Sequence, residues 1–180
     1  FNSKIKGLLE YGHTVQLYVR QKSSDYKNCE TFIAPKVSKN IIIQIIKTII
    51  VLISLLPHLK RVLKFIKLEK STHRSKSQIF KNLYTNAHLL KADLDWLHFG
   101  FTTMALQSEN IAKSIGAKMA VSCRGYDMDV YPQKYPSCYN LVWKNVDKIH
   151  VISKYMLHKA QENGYKTNKP YSIIYPAITT

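Results

Sequence analysis

Two short apolar runs, each ending in a group of polar residues, limit the possible folds of this chain more than any other feature. The runs predict strands at residues 93–98 and 118–122, and they end in the polar clusters 95–100 and 121–127. The segment between them, residues 102–115, has the spacing of a crossover helix, which Thr102 or Thr103 would cap. Strand, helix and strand in this order form a βαβ unit with parallel strands. We therefore predict an α/β fold, a Rossmann-like, doubly wound parallel sheet.

The same alternation of elements continues on both sides of this unit. Further strands are predicted at residues 14–19, 31–33, 148–152 and 171–175. Further helices are predicted at residues 4–11, 137–145 and 154–163, and a polar loop at residues 21–28. Gly12 and Gly164 fit the left-handed position that follows a helix, and Ser153 is predicted to be an N-cap. The side chains of the crossover helix that are available to face the sheet are Met104, Leu106, Ile111 and Ile115.

Residues 40–90 interrupt the alternation and are predicted to form a helical insert in a single domain that spans residues 1–180. Its helices are predicted at residues 41–56, 58–70 and 77–91. The first of them is almost wholly apolar, but it is short for a membrane span and contains Gln44 and Lys47. The third is predicted to bury Ile79, Leu83, Ala87 and Leu90.

Charge and cysteine content narrow the class of protein. The 27 Lys and Arg residues exceed the 11 Asp and Glu residues, so the net charge is +16. Such an excess indicates a polyanionic partner: nucleic acid, an anionic membrane surface or phosphorylated substrates. Cys29, Cys123 and Cys138 form no C-x-x-C pair, which favours free thiols in a reducing compartment. The sequence has neither a glycine-rich dinucleotide motif nor a P-loop motif, which argues against the enzymes that use them.

The ends of the two central strands supply the candidate site. His98, Arg124 and Asp127 are expected at the carboxyl edge of the sheet, where open α/β sheets bind their ligands. Gly100 and the start of the next helix would form a turn that receives an anion, and Gly125 suggests a positive φ or close approach of a ligand. Two structural interpretations stay open: His98 as a core histidine, and Arg124 with Asp127 as a local salt bridge.

Four passages, in order along the chain, carry a resemblance to one known family. They are residues 6–15 (KGLLEYGHTV), 95–100 (DWLHFG), 122–127 (SCRGYD) and 147–153 (DKIHVIS). Together they resemble the N-terminal domain of group 1 (family 4) glycosyltransferases of the GT-B fold, in the bacterial branch that builds exopolysaccharide, colanic acid and lipopolysaccharide. Leu97 stands where the family has the first of two histidines, and Cys123 stands in place of a Phe. The family's first strand with its glycine-rich loop, and its C-terminal nucleotide-sugar domain, are expected outside residues 1–180.

The resemblance implies an enzyme that transfers a sugar from a nucleotide-sugar donor to a lipid-linked or saccharide acceptor, with retention and without a metal. No cofactor is implied, because the nucleotide-sugar is a substrate bound mainly by the C-terminal domain, and residues 1–180 alone are expected to be inactive. Arg124 and Asp127 are expected to act in catalysis, Arg124 by stabilising the phosphate charge that develops. The residues expected to bind the acceptor are His98, Phe99, Gly100, Gly125 and Tyr126.

The insert predicts an element that lies on a membrane surface. The apolar residues 41–56 precede a basic helix that carries Leu63 and Phe65, and this combination is typical of interfacial helices. The cationic residues expected at the membrane are Lys60, Arg61, Lys64 and Lys67. We therefore expect a peripheral protein on the cytoplasmic, inner face of the cell membrane; the alternative is that residues 41–56 pack on the sheet.

Two other functional classes remain as alternatives at this stage. One is a non-enzymatic basic domain that binds nucleic acid or an anionic membrane surface, and the other is a small-molecule sensor that uses the same kind of cleft. The concentration of lysines beside an apolar helix suits a membrane better than nucleic acid, so no nucleic-acid partner is expected.

Overall fold

The computed structural model describes residues 2–21 and 29–175, which form two compact units. The first unit is Phe1–Ala92 and the second is Asp93–Thr180. In both units the described strands pair in parallel. The predicted α/β class with parallel strands is therefore confirmed. The loop predicted at residues 21–28 lies, apart from Gln21, outside the described residues.

The first unit combines a two-stranded sheet with a group of helices. α1 (Asn2–Glu10) is followed by Gly12, whose φ of +79° confirms the predicted left-handed position. β1 (Gln16–Val19) pairs with β2 (Glu30–Ile33). The remaining helices are α2 (Ile41–Ser54), α3 (Leu59–Ser71), α4 (Lys76–Thr85) and α5 (Ala87–Leu90), with a 3₁₀ turn at Leu56–His58 between the first two. The helical character of the predicted insert is thus confirmed.

The third helix predicted in the insert, residues 77–91, is broken into α4 and α5 at Asn86. Asn86 is buried, and its side-chain amide donates to the Asn82 carbonyl at 2.9 Å. Such side chain to backbone bonds compete with the continuation of a helix. The side chains predicted to face inward are all buried, as expected: Ile79, Leu83, Ala87 and Leu90.

A buried carboxylate joins α3 to the next helix. Glu69 is fully buried near the end of α3, and Arg74 donates to its Oε1 at 2.7 Å. The Asn82 amide, on α4, donates to the other oxygen, also at 2.7 Å. A buried charge is tolerated only when its partners satisfy it, and these two partners lie in the connection and on the neighbouring helix. These two hydrogen bonds to Glu69 therefore fix the packing of α3 against α4.

The second unit is built on a four-stranded parallel sheet. Its strands are β3 (Trp96–Phe99), β4 (Lys118–Cys123), β5 (Lys148–Val151) and β6 (Tyr171–Ile173), in the spatial order β3-β4-β5-β6. The helices are α6 (Ile111–Ile115), α7 (Tyr131–Lys134), α8 (Asn140–Asn145) and α9 (Lys154–Glu162). Ser153 caps α9 by accepting from the Met156 N–H, as predicted. Right-handed crossovers between strands in sequential order place the connecting helices on one face of such a sheet.

The two faces of this sheet differ in polarity. One face is a fully packed core made by Leu97, Phe99, Met119, Val121, Cys123, Ile149 and Val151. The other carries Trp96, His98, Lys118, Ala120, Ser122, Lys148 and His150, of which Ala120 and Ser122 are buried. Because strand side chains alternate between faces, the register of β3, β4 and β5 decides which polar groups meet.

The crossover predicted as one helix over residues 102–115 is wrong. A 3₁₀ turn covers Thr102–Ala105, the chain then becomes extended at Leu106, and Gln107 has a φ of +66°. Only α6, at the end of the segment, is α-helical. Ile111 and Ile115 are buried as expected, whereas Met104 is 48% exposed and so does not face the sheet.

Candidate functional site

Asp127 is the most tightly held residue at the strand ends. Its carboxylate is fully buried and accepts hydrogen bonds from the Thr102 N–H at 3.1 Å and the Thr103 N–H at 3.4 Å. The Thr103 hydroxyl donates to the same carboxylate at 2.7 Å. These donors are the free N-terminal groups of the 3₁₀ turn, which an acidic side chain is suited to satisfy. Asp127 therefore fastens the turn after β3 to the segment after β4.

This arrangement bears on two expectations for the site. The turn at Gly100 and Thr102 was expected to receive an anion from a ligand, but its donors are bound by the protein's own carboxylate. The catalytic role expected of Asp127 stays a prediction; in the structure its carboxylate is fully buried and holds the turn. The sequence correctly predicted that the ends of β3 and β4 lie side by side.

The segment that carries Asp127 is itself held from several sides. It is a π-helical turn, Tyr126–Val130, a rare form that is found often at functional sites. The buried Tyr139 hydroxyl donates to the Asp127 carbonyl at 2.9 Å, and the Asn163 amide donates to the Met128 carbonyl at 2.9 Å. Burial raises the pKa of Tyr139 well above its usual value, so the hydroxyl stays a donor. The backbone after β4 is thus fixed in position.

Arg124 lies at the carboxyl end of β4, the position that the sequence predicted. It is half-buried, and its guanidinium carbon lies 4.9 Å from the centroid of the Phe101 ring. A cation over an aromatic face is attracted by the ring, and Arg favours this geometry. Phe101 therefore positions a permanent positive charge beside the turn after β3.

Three polar side chains form a continuous line across β3, β4 and β5. The Ser122 hydroxyl lies 2.9 Å from His98 Nε2 and 3.1 Å from His150 Nδ1. Because a hydroxyl has one proton, it donates to at most one of the two imidazoles and accepts from the other, so the tautomers of the two rings are linked through Ser122. We call His98, Ser122 and His150 the polar row. His98 is exposed, Ser122 is buried and His150 is half-buried, so the row runs from the surface into the sheet.

The sequence identified one member of the polar row and missed the other two. His98 was predicted as a site residue, whereas Ser122 and His150 occur in the sequence analysis only within the resembling passages 122–127 and 147–153. Strand alternation gives the face on which each residue lies, but the register of parallel strands joined by long crossovers does not follow from the sequence. His98 is also not a core histidine, since it is exposed.

The other residues predicted to bind the acceptor differ in their exposure to solvent. Tyr126 is 56% exposed and so is available to a ligand. Phe99 is buried on the core face of the sheet, opposite to His98, and so packs rather than binds. Gly125 has φ −48°, in the right-handed helical region, and a Cβ there would meet only Asp129 Oδ2, at 4.0 Å. The expectation of a positive φ at Gly125 is therefore wrong.

The cysteines and the concave surfaces add no chemistry to this site. All three cysteines are free thiols, and burial raises the pKa of Cys123 to about 12, which makes it unreactive. Within residues 2–21 and 29–175, no group of His, Cys, Asp and Glu side chains has a geometry that would hold a metal ion. A concave region of about 320 Å³ lies between Pro132 and Gly164, and no residue of the predicted site lines it.

The cationic residues predicted to contact a membrane lie on α3 in the first unit. Lys60, Lys64 and Lys67 are exposed. Arg61 is half-buried, and its Nη1 donates to the Ala92 carbonyl at 2.6 Å, so this residue has a structural contact. Phe65, expected beside these lysines, is fully buried. None of the described helices alone has the length and apolar composition to cross a membrane, but α2 and the helical segment Leu56–Ser71, bent by 49°, meet these criteria together.

No family model matches this chain, and the comparisons with curated proteins and with solved structures found no match either. The function is therefore argued from the residues, their geometry and the resemblance of the four passages.

Proposed function

We propose that this chain is the acceptor-side half of a retaining, metal-independent glycosyltransferase of the GT-B fold. In the complete protein, a C-terminal domain would hold the nucleotide-sugar, and the acceptor would be a lipid-linked or free saccharide of the cell surface. The finer assignment of the α/β fold as a Rossmann-like, doubly wound half of such an enzyme is part of this proposal. So is a peripheral location on the inner face of the cell membrane.

The observation that carries the proposal is the position of Arg124 at the carboxyl end of β4. Phe101 lies against its guanidinium, and the turn that contains Phe101 is fastened to the same strand end by Asp127. A positioned guanidinium suits a departing diphosphate, because it stays charged and its donors match phosphate oxygens. A positive charge fixed in advance in this way contributes strongly to stabilising the transition state when no metal takes part in the reaction.

The polar row would serve the acceptor side of the same reaction. His98 is the exposed end of the row, and its ring is oriented by the hydrogen bond to Ser122. An imidazole fixed in this way could hold an acceptor hydroxyl in one orientation, and the exposed Tyr126 could contact the sugar face. The proposed roles are thus phosphate charge for Arg124 and acceptor positioning for His98 and Tyr126.

The test is the rate of sugar transfer by the full-length protein and its Arg124→Ala variant, with nucleotide-sugars and lipid or saccharide acceptors. We expect a loss of turnover of ~10²-fold or more, because the developing phosphate charge loses its partner. Arg124→Lys should recover part of the rate, since it keeps the charge but not the fork of donors. Lys134→Ala, at an exposed cation of α7, is the matched control. A folded Arg124→Ala enzyme with wild-type turnover would remove Arg124 from the mechanism.

A further inference from the structure

α2 is an amphipathic helix that exposes its apolar side to solvent, whereas an ordinary surface helix exposes its polar side. Its isoleucines point to solvent with exposures between 46% and 70%, and no residue of the helix is buried. The exposed isoleucines are Ile41, Ile42, Ile43, Ile45, Ile46, Ile49, Ile50 and Ile53. We call them the isoleucine face. A surface helix normally turns such a face to the core and its polar side chains to water.

The inward side of α2 holds the polar side chains instead, and they have partners there. The Gln44 Oε1 accepts from the Ser38 N–H at 2.8 Å, and its amide donates to the Thr48 hydroxyl at 3.2 Å. The Thr48 hydroxyl donates in turn to the Gln44 carbonyl at 2.8 Å. Gln44, Lys47, Thr48 and Ser54 are all less exposed than the isoleucines beside them. The bond from Ser38 thus ties the polar side of α2 to the segment that precedes it, whereas the two bonds between Gln44 and Thr48 lie within the helix.

The width of the isoleucine face favours a fluid partner over a rigid one. With 3.6 residues per turn, the exposed apolar positions cover an arc of about 200° around the helix. A protein partner that covers one side of a helix contacts a narrower stripe, whereas lipid chains can surround all of a protruding face. An apolar surface of this extent, exposed to water, marks an interaction site.

The neighbouring helix has the charge that an anionic bilayer attracts. On α3, Leu59 and Leu63 are exposed on one flank, and Lys60, Lys64 and Lys67 are exposed on the adjoining flank. The 49° bend between the two helical segments lets the first enter the apolar layer while the second lies at the headgroups. An apolar face with cations beside it is typical of a helix that lies at the interface of a membrane.

We propose that α2 inserts its isoleucine face into an anionic lipid bilayer and that the lysines of α3 bind the headgroups. This inference deepens the peripheral membrane location that is part of the proposed function. It does not depend on sugar transfer, because the surface is complete within α2 and α3.

The test uses the full-length protein with vesicles of phosphatidylcholine alone and of phosphatidylcholine mixed equally with phosphatidylglycerol. We expect salt-sensitive binding that is stronger to the mixed vesicles. Changing Lys60, Lys64 and Lys67 together to Glu should weaken binding to the mixed vesicles by about 100-fold. The matched control changes Lys144, Lys154 and Lys166 to Glu, which alters the net charge equally at exposed positions of the second unit. An equal loss in the control would overturn the role of α3.

Insertion of α2 is tested separately from the attraction of charge. Changing Ile42, Ile46, Ile49 and Ile53 to Gln should abolish binding to both kinds of vesicle while the circular dichroism spectrum stays unchanged. In an Ile49→Trp variant, brominated lipid chains should quench the new fluorescence above the background from Trp96 and Trp143. The proposal would be overturned if brominated lipids caused no quenching and light scattering showed a dimer that the Gln variant does not form. The isoleucine face would then bind a second copy of the chain.

Discussion

At the scale of single residues, the second unit shows how one carboxylate can decide a local structure. Thr102 and Thr103 lie 25 and 24 residues before Asp127 in the chain, but their amides and its carboxyl group form one cap. A cap formed at such a distance replaces the local N-cap that the sequence predicted at Thr102 or Thr103. The role of Asp127 is therefore measurable as stability.

Changing Asp127 to Asn should destabilise the protein by about 1.5–3 kcal/mol, because the amide replaces a charged acceptor and turns a donor toward the N–H groups. Urea unfolding measures this loss. Asp129→Asn, in the same π-helical turn, is the control, since Asp129 is only half-buried and accepts from the Tyr155 hydroxyl. Unchanged stability with abolished sugar transfer would return Asp127 to the catalytic residues.

The second prediction at this scale concerns His88 on α5. Burial, and then the nearby Lys91 charge, lower the pKa of His88 from 6.5 to about 4. The unfolded chain therefore takes up a proton at a higher pH than the folded protein, so stability should fall as the pH drops from 6.5 toward 4. The loss is at most ~3 kcal/mol. Unfolding free energies across this range should show the slope, His88→Gln should flatten it, and His13→Gln at an exposed position is the control. A slope that persists in His88→Gln contradicts the assignment.

At the scale of elements, the contact between α3 and α4 depends on one buried charge. Glu69→Ala should lower the free energy of unfolding by about 3–5 kcal/mol, because it leaves Arg74 without its buried partner. Glu10→Ala provides the comparison, since its pair with Lys6 is exposed and such pairs contribute at most about 1 kcal/mol. Thermal or urea unfolding of both variants gives the contrast. Similar small losses in the two would show that Glu69 is dispensable.

Elements with a strong local signal were predictable, and elements defined by distant contacts were not. The buried runs at β4 and β5 and the cap of α9 were predicted almost to the residue, because apolar runs and Ser153 carry the information locally. The 3₁₀ turn after β3 and the π-helical turn at Tyr126–Val130 depend on each other through Asp127, so the local periodicity misjudged the first and gave no sign of the second. For α2, the sequence predicted the helix and its apolar composition, but it did not decide whether the isoleucines face the protein or the solvent.

At the scale of the whole molecule, the described residues offer a nucleotide-sugar the guanidinium of Arg124 but no cradle of free backbone N–H groups for its phosphates. The backbone donors at Thr102 and Thr103 are bound by Asp127, and no glycine-rich loop replaces them in the described ranges. We therefore expect residues 1–180 alone to bind nucleotide-sugars weakly or not at all and to transfer no sugar. Titration calorimetry with common uridine and guanosine diphosphate sugars measures this. A micromolar affinity for this piece would show that the donor binds here and would reverse the proposed division of the enzyme.

The sequential order of the four-stranded sheet also bears on how the protein is made. Each strand from β4 onward pairs with the strand that precedes it in the chain. During synthesis, a strand leaving the ribosome therefore meets a partner that has already emerged. The contact order of this sheet stays low for a parallel one, which favours rapid, stepwise folding and shortens the time during which its apolar edges can aggregate.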